Sequence, residues 1–211
     1  MAAKVARSPA GTGGFWYLKE IESRLKPGDH LCHLYETKQE QLQMALPFLA
    51  MGLAKGERCS CAAHENTPAE VEAGLSALGV DVDRCLLTGQ LGVFTAGELY
   101  MSTGSFDPYE VLRSSVSTVN KAVEAGYPGM RIVADVTWIL ADLAKLDSFM
   151  VLEALWDNAV RDLPFRGICQ YNARRFPGNT IMKTLRTHPR VLVGRQLYEN
   201  PFHEATQPGR K

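Results

Sequence analysis

A chain of 211 residues with 45% hydrophobic and 22% charged residues is sized and composed for one folded domain, which excludes wholesale disorder. Its 23 basic and 23 acidic residues cancel, which argues against a general nucleic-acid coat. No run nears the roughly 18 apolar residues of a membrane helix, and the opening MAAKVARSPAGTGG lacks the apolar core of a secretory signal. Five scattered cysteines are a poor disulfide framework, so a reducing cytoplasm is the expected location.

In chain order, residues 1–27 read as an arm whose first 14 residues are Ala, Gly, Ser and Pro-rich and flexible, with a short helix beginning near Phe15-Trp16-Tyr17 and ending before Pro27-Gly28. His30 to Tyr35 is a strand. Leu42, Ala45, Leu46, Leu49 and Leu53 recur at helical spacing, and Gly56 ends that helix. Arg58 to Ala63 is a second strand. Thr67-Pro68 opens a helix through Val71, Leu75 and Leu78, with Thr67 at the cap and Pro68 at the first helical position. Cys85 to Thr88 and Leu91 to Thr95 read as two short strands.

Phe106-Asp107-Pro108 starts a long helix, and Met130 to Val136 is a strongly apolar strand. Phe149, Leu152, Leu155, Trp156 and Ala159 mark one face of the next helix. Gly167 to Tyr171 is a strand, Pro177 to Leu185 a helix, and Val191 to Gly194 the last clear strand. Strands alternating with helices in this way predict one α/β domain over residues 28–203, a mostly parallel sheet with helices on both faces. Residues 204–211 read as a flexible tail. Ligands of such sheets bind at the carboxyl ends of the strands.

The neutral total hides a split. Residues 1–28 carry a net charge of +3, residues 29–160 of −10 and residues 161–211 of +7. The acidic and basic stretches must fold into one sheet, so internal compensation is the expected reading, ahead of a nucleic-acid surface.

The first strand-to-helix turn reads Leu34-Tyr35-Glu36-Thr37-Lys38-Gln39. It has no glycine to bring backbone N–H groups onto a phosphate, and Glu36 would meet phosphate as like charge. GxxxxGK[ST] and GxSxG are absent from the chain, so neither a P-loop nor a nucleophile elbow is expected. Asp135 ends an apolar strand, suited to anchoring a ligand or the neighbouring loop. Trp138 is either core or the aromatic wall of a pocket.

His64-Glu65 follows the second strand, while Tyr171, Arg174 and Arg175 crowd another strand end. The two arginines could clasp an anion or pair with acids of the same domain. Cys59 and Cys61 share one strand face, as do His30 and Cys32, and side-by-side strands would bring all four together. Buried thiols remain the favoured reading for Cys32, Cys59, Cys61, Cys85 and Cys169. No metal and no cofactor is expected.

Gly28-Asp29-His30-Leu31-Cys32-His33-Leu34-Tyr35-Glu36, then GERC at 56–59, SFDPYEVL at 105–112, CQYNARRF at 169–176, RTHP at 186–189 and YENPF at 198–202 resemble, in order, the signatures of the MEDS family, a methanogen/methylotroph sensory domain. The resemblance covers roughly residues 28–203. It implies a RecA/KaiC-like three-layer fold that has lost its phosphate loop, and a sensory role toward small hydrocarbon-related compounds. Family members join such domains to DNA-binding, kinase or anti-sigma modules. Here 27 residues precede the domain and about eight follow it, too few for a helix-turn-helix. Action on a separate regulatory or signalling protein, or origin as a fragment of a longer regulator, is therefore expected.

The leading expectation is thus a non-catalytic sensor of a small organic ligand, without direct nucleic-acid or membrane binding, and with a homo-oligomer as a candidate assembly. Its candidate ligand-binding residues are Tyr35, Glu36, His64, Glu65, Asp135, Trp138, Tyr171, Arg174, Arg175 and His188. The alternatives are a protein-interaction scaffold built on a degenerate ATPase fold, and a nucleotide- or metal-dependent enzyme.

Overall fold

Residues 16–101 and 105–204 are described by the computed structural model. The expected arm over residues 1–14 and nearly all of the tail fall outside them. Seven strands, β1 (Asp29–Tyr35), β2 (Arg58–Ala63), β3 (Leu91–Thr95), β4 (Met130–Asp135), β5 (Phe165–Asn172), β6 (Arg190–Val193) and β7 (Gln196–Glu199), form one sheet in the order β3-β2-β4-β5-β1-β6-β7. All neighbours run parallel except β6 and β7. Among the described residues, eight α-helices surround the sheet: α1 (Trp16–Arg24), α2 (Lys38–Ala54), α3 (Pro68–Ala77), α4 (Val82–Leu87), α5 (Ala96–Tyr100), α6 (Pro108–Glu124), α7 (Leu146–Val160) and α8 (Gly178–Thr187).

Several helix starts follow directly from the sequence. Thr67 accepts from the Glu70 amide while Glu70 reaches back to Thr67, and Thr95 and Glu98 repeat that reciprocal cap at α5. Asp107 caps α6 through the Tyr109 and Glu110 amides, with Pro108 at the first helical position. The short helix expected near residue 16 is α1. Its Leu18 and Ile21, with Leu25 just after it, are buried in the core against α2 and the sheet, so this part of the expected arm is a packed element.

Two expectations need correcting. Cys85–Thr88 is not a strand but the end of α4: Asp81 accepts from the Arg84 amide at its start, and Gly89, at φ +70°, stops it. A short apolar run fits either element; the cap and the stop decide it, and the slot beside β2 is filled by β3. The strand pair that would have joined His30 and Cys32 to Cys59 and Cys61 does not form, because β4 and β5 lie between β1 and β2. β7 was also not foreseen; it is a four-residue strand with only Leu197 buried.

The two faces of the sheet differ in a way that positions everything else. One face carries Leu31, Cys59, Cys61, Val133, Ile168 and Leu192, packed under α1, α2 and α3. Burial pushes the Cys61 thiol up to about 12, so Cys61 is an inert core thiol. Arg131 crosses this face, fully buried. It forks onto Glu22 of α1 at 2.6 and 2.7 Å, donates to the Phe48 carbonyl at 3.2 Å and also pairs with Glu57. Its guanidinium lies 4.8 Å from the Phe48 ring centroid. Removing one partner of such a buried pair costs about 3–5 kcal/mol.

The other face, under α6 and α7, carries small side chains: Ser60 and Ala62 on β2, Ala134 on β4, Gly167 on β5. A Cβ at Gly167 would meet the Phe165 ring at 2.4 Å.

The charge split resolves as internal pairing. Arg161–Asp157, Arg166–Glu57, Arg174–Glu36, Arg175–Glu65, Lys183–Asp147 and Arg190–Asp29 each join the basic last quarter to the acidic middle.

On the close-packed face, His33 lies buried and takes a hydrogen bond at 2.9 Å on Nδ1 from the Gln170 amide, which also donates to the Gln41 carbonyl. Burial lowers its pKa to about 3. The unfolded chain therefore takes up a proton near pH 6.5 that the folded protein refuses. Stability is full above that pH and falls as pH drops toward 3, by about 1.4 kcal/mol per pH unit for one such histidine. In urea titrations between pH 7 and 5, His33→Gln should lose about one proton's worth of that slope. An unchanged slope would place the protonation elsewhere.

Candidate functional site

At the carboxyl end of the sheet, the turns after β1, β2, β4 and β5 meet in one hydrogen-bonded network. Asp135, at the end of β4, accepts from the Glu65 amide at 2.7 Å and from the Thr137 amide at 2.9 Å, fixing the loop after β2. The Glu65 carboxylate then receives Tyr35 Oη at 2.9 Å, Asn172 Nδ2 at 3.0 Å and Arg175 Nη1 at 2.7 Å. Burial raises the Glu65 pKa, but the Arg175, Asn172 and Tyr35 hydrogen bonds outweigh it and hold the carboxyl below its ordinary range. Tyr35 Oη also lies 3.0 Å from Thr137 Oγ1 and accepts from Gln41 Nε2 at 3.2 Å.

Outside this knot, Arg174 clasps Glu36 at 2.7 and 2.8 Å, an exposed pair. The amides where a phosphate would seat are engaged by the protein's own side chains. The Glu36 amide donates to Glu40 Oε2 at 2.8 Å, and the Glu40 amide to Thr37 Oγ1 at 3.2 Å. With Glu36 and Glu40 both at this helix start, it presents carboxylates where an ATPase presents bare N–H groups.

Of the ten predicted residues, Tyr35, Glu65, Asp135 and Arg175 thus share one network, and Glu36 and Arg174 form its outer pair. His64 is exposed beside a hollow of about 10 Å³, room for about one water. Trp138 lies in an aromatic nest, stacked on Tyr100 at 4.9 Å and edge-on to Phe149 at 5.8 Å. Tyr171 is fully buried, edge-on to Phe176 at 5.4 Å and His188 at 6.0 Å.

The open volume lies on the face with small side chains. A groove of about 400 Å³ runs between α6 and the β2–β4 surface, walled by Phe94, Tyr100, Val111 and Ile132, with Ser60, Ser115, Asp107 and Glu110 supplying polar groups. It shares Leu99, Tyr100, Val111, Ser115 and Ile132 with a deeper cavity of about 40 Å³. Trp138 backs this volume through its stack on Tyr100. The volume lies where Ser60, Ala62 and Ala134 leave the sheet face low beneath α6.

The floor of the deeper cavity is polar. His30, Glu153 and Cys169 line it, and with His188 their donor atoms lie within 4.8 Å of one another. Glu153 Oε2 is 2.9 Å from His188 Nε2 and 3.2 Å from His30 Nε2, and His30 Nε2 is 3.4 Å from Cys169 Sγ. His188 enters from the end of α8, His30 and Cys169 from β1 and β5, which are neighbours, and Glu153 from α7. Burial raises the Glu153 pKa, yet the His188 and His30 imidazoles overcome it and hold the carboxyl well below its usual range.

His188 was singled out from the sequence, whereas Glu153 was missed. The available signal was its spacing: Glu153 stands four after Phe149 and three before Trp156, on the apolar face of α7.

Comparisons with known proteins agree on family and fold. The profile of MEDS, the methanogen/methylotroph, DcmR sensory domain, matches residues 29–189. The transcriptional repressor DcmR of Methylorubrum extorquens is 26% identical over 161 residues, 76% of this chain and 58% of the repressor. The chain thus spans a little over half the length of that relative. Among solved structures, the flagellar accessory protein FlaH from Methanocaldococcus jannaschii superposes with a TM-score of 0.58 at 15% identity, covering 84% of this chain and 80% of that one. The shared architecture is RecA-like.

The strand-end network makes a direct prediction. Tyr35→Phe removes the hydroxyl joining Glu65, Thr137 and Gln41 and leaves buried partners unmatched, at a cost of about 1–3 kcal/mol. The urea midpoint should fall with an unchanged m-value. A midpoint within error of the parent would mean the network carries no stability.

Proposed function

Because the chain belongs to the MEDS family of sensory domains, we propose that it binds a small organic ligand in the groove under α6 and passes that state to a transcriptional or signalling partner. The observation that carries this reading is the continuous volume of about 400 Å³ leading to a deeper cavity. It falls in the size range of small-molecule sites, and its lining mixes apolar side chains such as Phe94, Leu99 and Ile132 with polar ones such as Arg58, Ser60, Asp107 and Thr118. The likeness to a transcriptional repressor supports the regulatory output.

The strand-end residues take the supporting part. Their network ties the ends of β1, β2, β4 and β5 together, and β2 and β4 form the groove floor. Ligand binding shifts a population only by as much as the ligand prefers one arrangement of these loops. Non-catalytic action fits the helix start occupied by Glu36, Thr37 and Glu40.

The test is a thermal-shift panel of short-chain alcohols, halogenated methanes and small aromatic fragments. A compound present at about 100 times its Kd adds about 2.7 kcal/mol, which raises Tm by roughly 5–10 °C for a chain of this size. Ser115→Phe, which fills the groove, should fold and lose that shift. No stabilising compound, or a shift that survives Ser115→Phe, would overturn the assignment to this groove.

A further inference from the structure

We propose that His30, Glu153, Cys169 and His188 form a divalent transition-metal site of the zinc class, built into the sheet face beneath α7. The first argument is the tautomer of His188. Its Nδ1 lies 2.9 Å from the Thr184 carbonyl, which can only accept, so Nδ1 carries the proton. Its Nε2 is then turned to Glu153 Oε2, 2.9 Å away. A carboxylate fully shielded from water needs a cation beside it, and a proton on Nε2 or a metal ion at this point supplies one. An imidazole held by a backbone carbonyl on one nitrogen, with the other turned inward, is the usual orientation of a metal-bound histidine.

The second argument is convergence. Glu153 Oε2 faces both imidazoles, His188 Nε2 at 2.9 Å and His30 Nε2 at 3.2 Å, and all three side chains are buried. Three separations of 2.9, 3.2 and 3.4 Å, within a set that spreads to 4.8 Å, bracket the roughly 3.3–3.7 Å edges of a tetrahedron with metal–ligand bonds of about 2.0–2.3 Å. Two imidazoles, one carboxylate and one thiolate suit a borderline-soft ion of the zinc type, and do not suit magnesium or calcium.

Burial pushes the Cys169 thiol well up, so the thiol would give up its proton only as the metal bond forms. The cavity bordered by His30, Glu153 and Cys169 gives an ion a way in from the groove. With four protein donors the site is closed, and its role is structural: it ties α7 and α8 to the middle of the sheet. This inference does not rest on the ligand reading, since the four donors converge whether or not the groove is filled.

Metal-free protein, shown to be folded by circular dichroism, should take up one Co²⁺ per chain with visible d–d bands and a thiolate-to-cobalt charge-transfer band. Zn²⁺ should displace it and raise Tm, and a chelator should reverse the gain. The near-isosteric Cys169→Ser should lose the charge-transfer band, and Glu153→Gln and His188→Gln should bind roughly 10–100-fold more weakly or worse. Should His188→Gln fail to fold, Cys169→Ser still decides the matter by its spectrum. Thr118→Phe, which narrows the groove away from the deeper cavity, should leave Co²⁺ binding intact, which separates failure of this site from failure of the groove. A folded protein that takes up neither Co²⁺ nor Zn²⁺, or a Cys169→Ser spectrum identical to the parent's, would overturn the proposal.

Discussion

A parallel sheet covered on both sides takes many polar side chains on its strands out of reach of water, and a buried one is costly without a partner. That constraint organises this domain. On the close-packed face it accounts for the Arg131 fork onto Glu22 and Glu57, and for Gln170 spending both amide protons on His33 and Gln41. On the opposite face it accounts for the gathering of His30, Cys169 and His188 around Glu153. At the strand ends it accounts for a loop held through Asp135 and a carboxylate held through Tyr35, Asn172 and Arg175. Each cluster is a local answer to the same electrostatic cost.

The asymmetry of the faces follows from alternation. Successive residues on a strand point to opposite sides, so one stretch such as Cys59-Ser60-Cys61-Ala62 builds a tight face and a low face at once. The low face is where a helix bridges instead of filling, and a groove results. The open volume thus lies at the side of the sheet, while the strand ends are closed by the network of Asp135, Glu65 and Tyr35.

Much of this was legible in the sequence, and the failures have physical causes. Apolar runs bounded by Thr67-Pro68 and Asp107-Pro108 fixed strands and helices well, because caps and proline act locally. Cys85–Thr88 failed because a short apolar run has no period of its own. β7 was hidden because an edge strand with one buried residue, Leu197, needs no apolar pattern. Tyr35, Glu65, Asp135 and Arg175 could be nominated because strand ends are known from strand positions, but their mutual pairing depends on strand order. Glu153 was illegible for a different reason. One acid on a helix reads as solvated until its neighbours in space are known, and those come from β1, β5 and α8, far apart along the chain.

Gly167 carries one further consequence. The Phe165 ring lies over the position its missing side chain would take, 2.4 Å from where a Cβ would stand, and that ring meets Trp156 of α7 edge-on at 5.3 Å. A methyl group added at 167 would therefore be felt first in α7, through the ring it displaces.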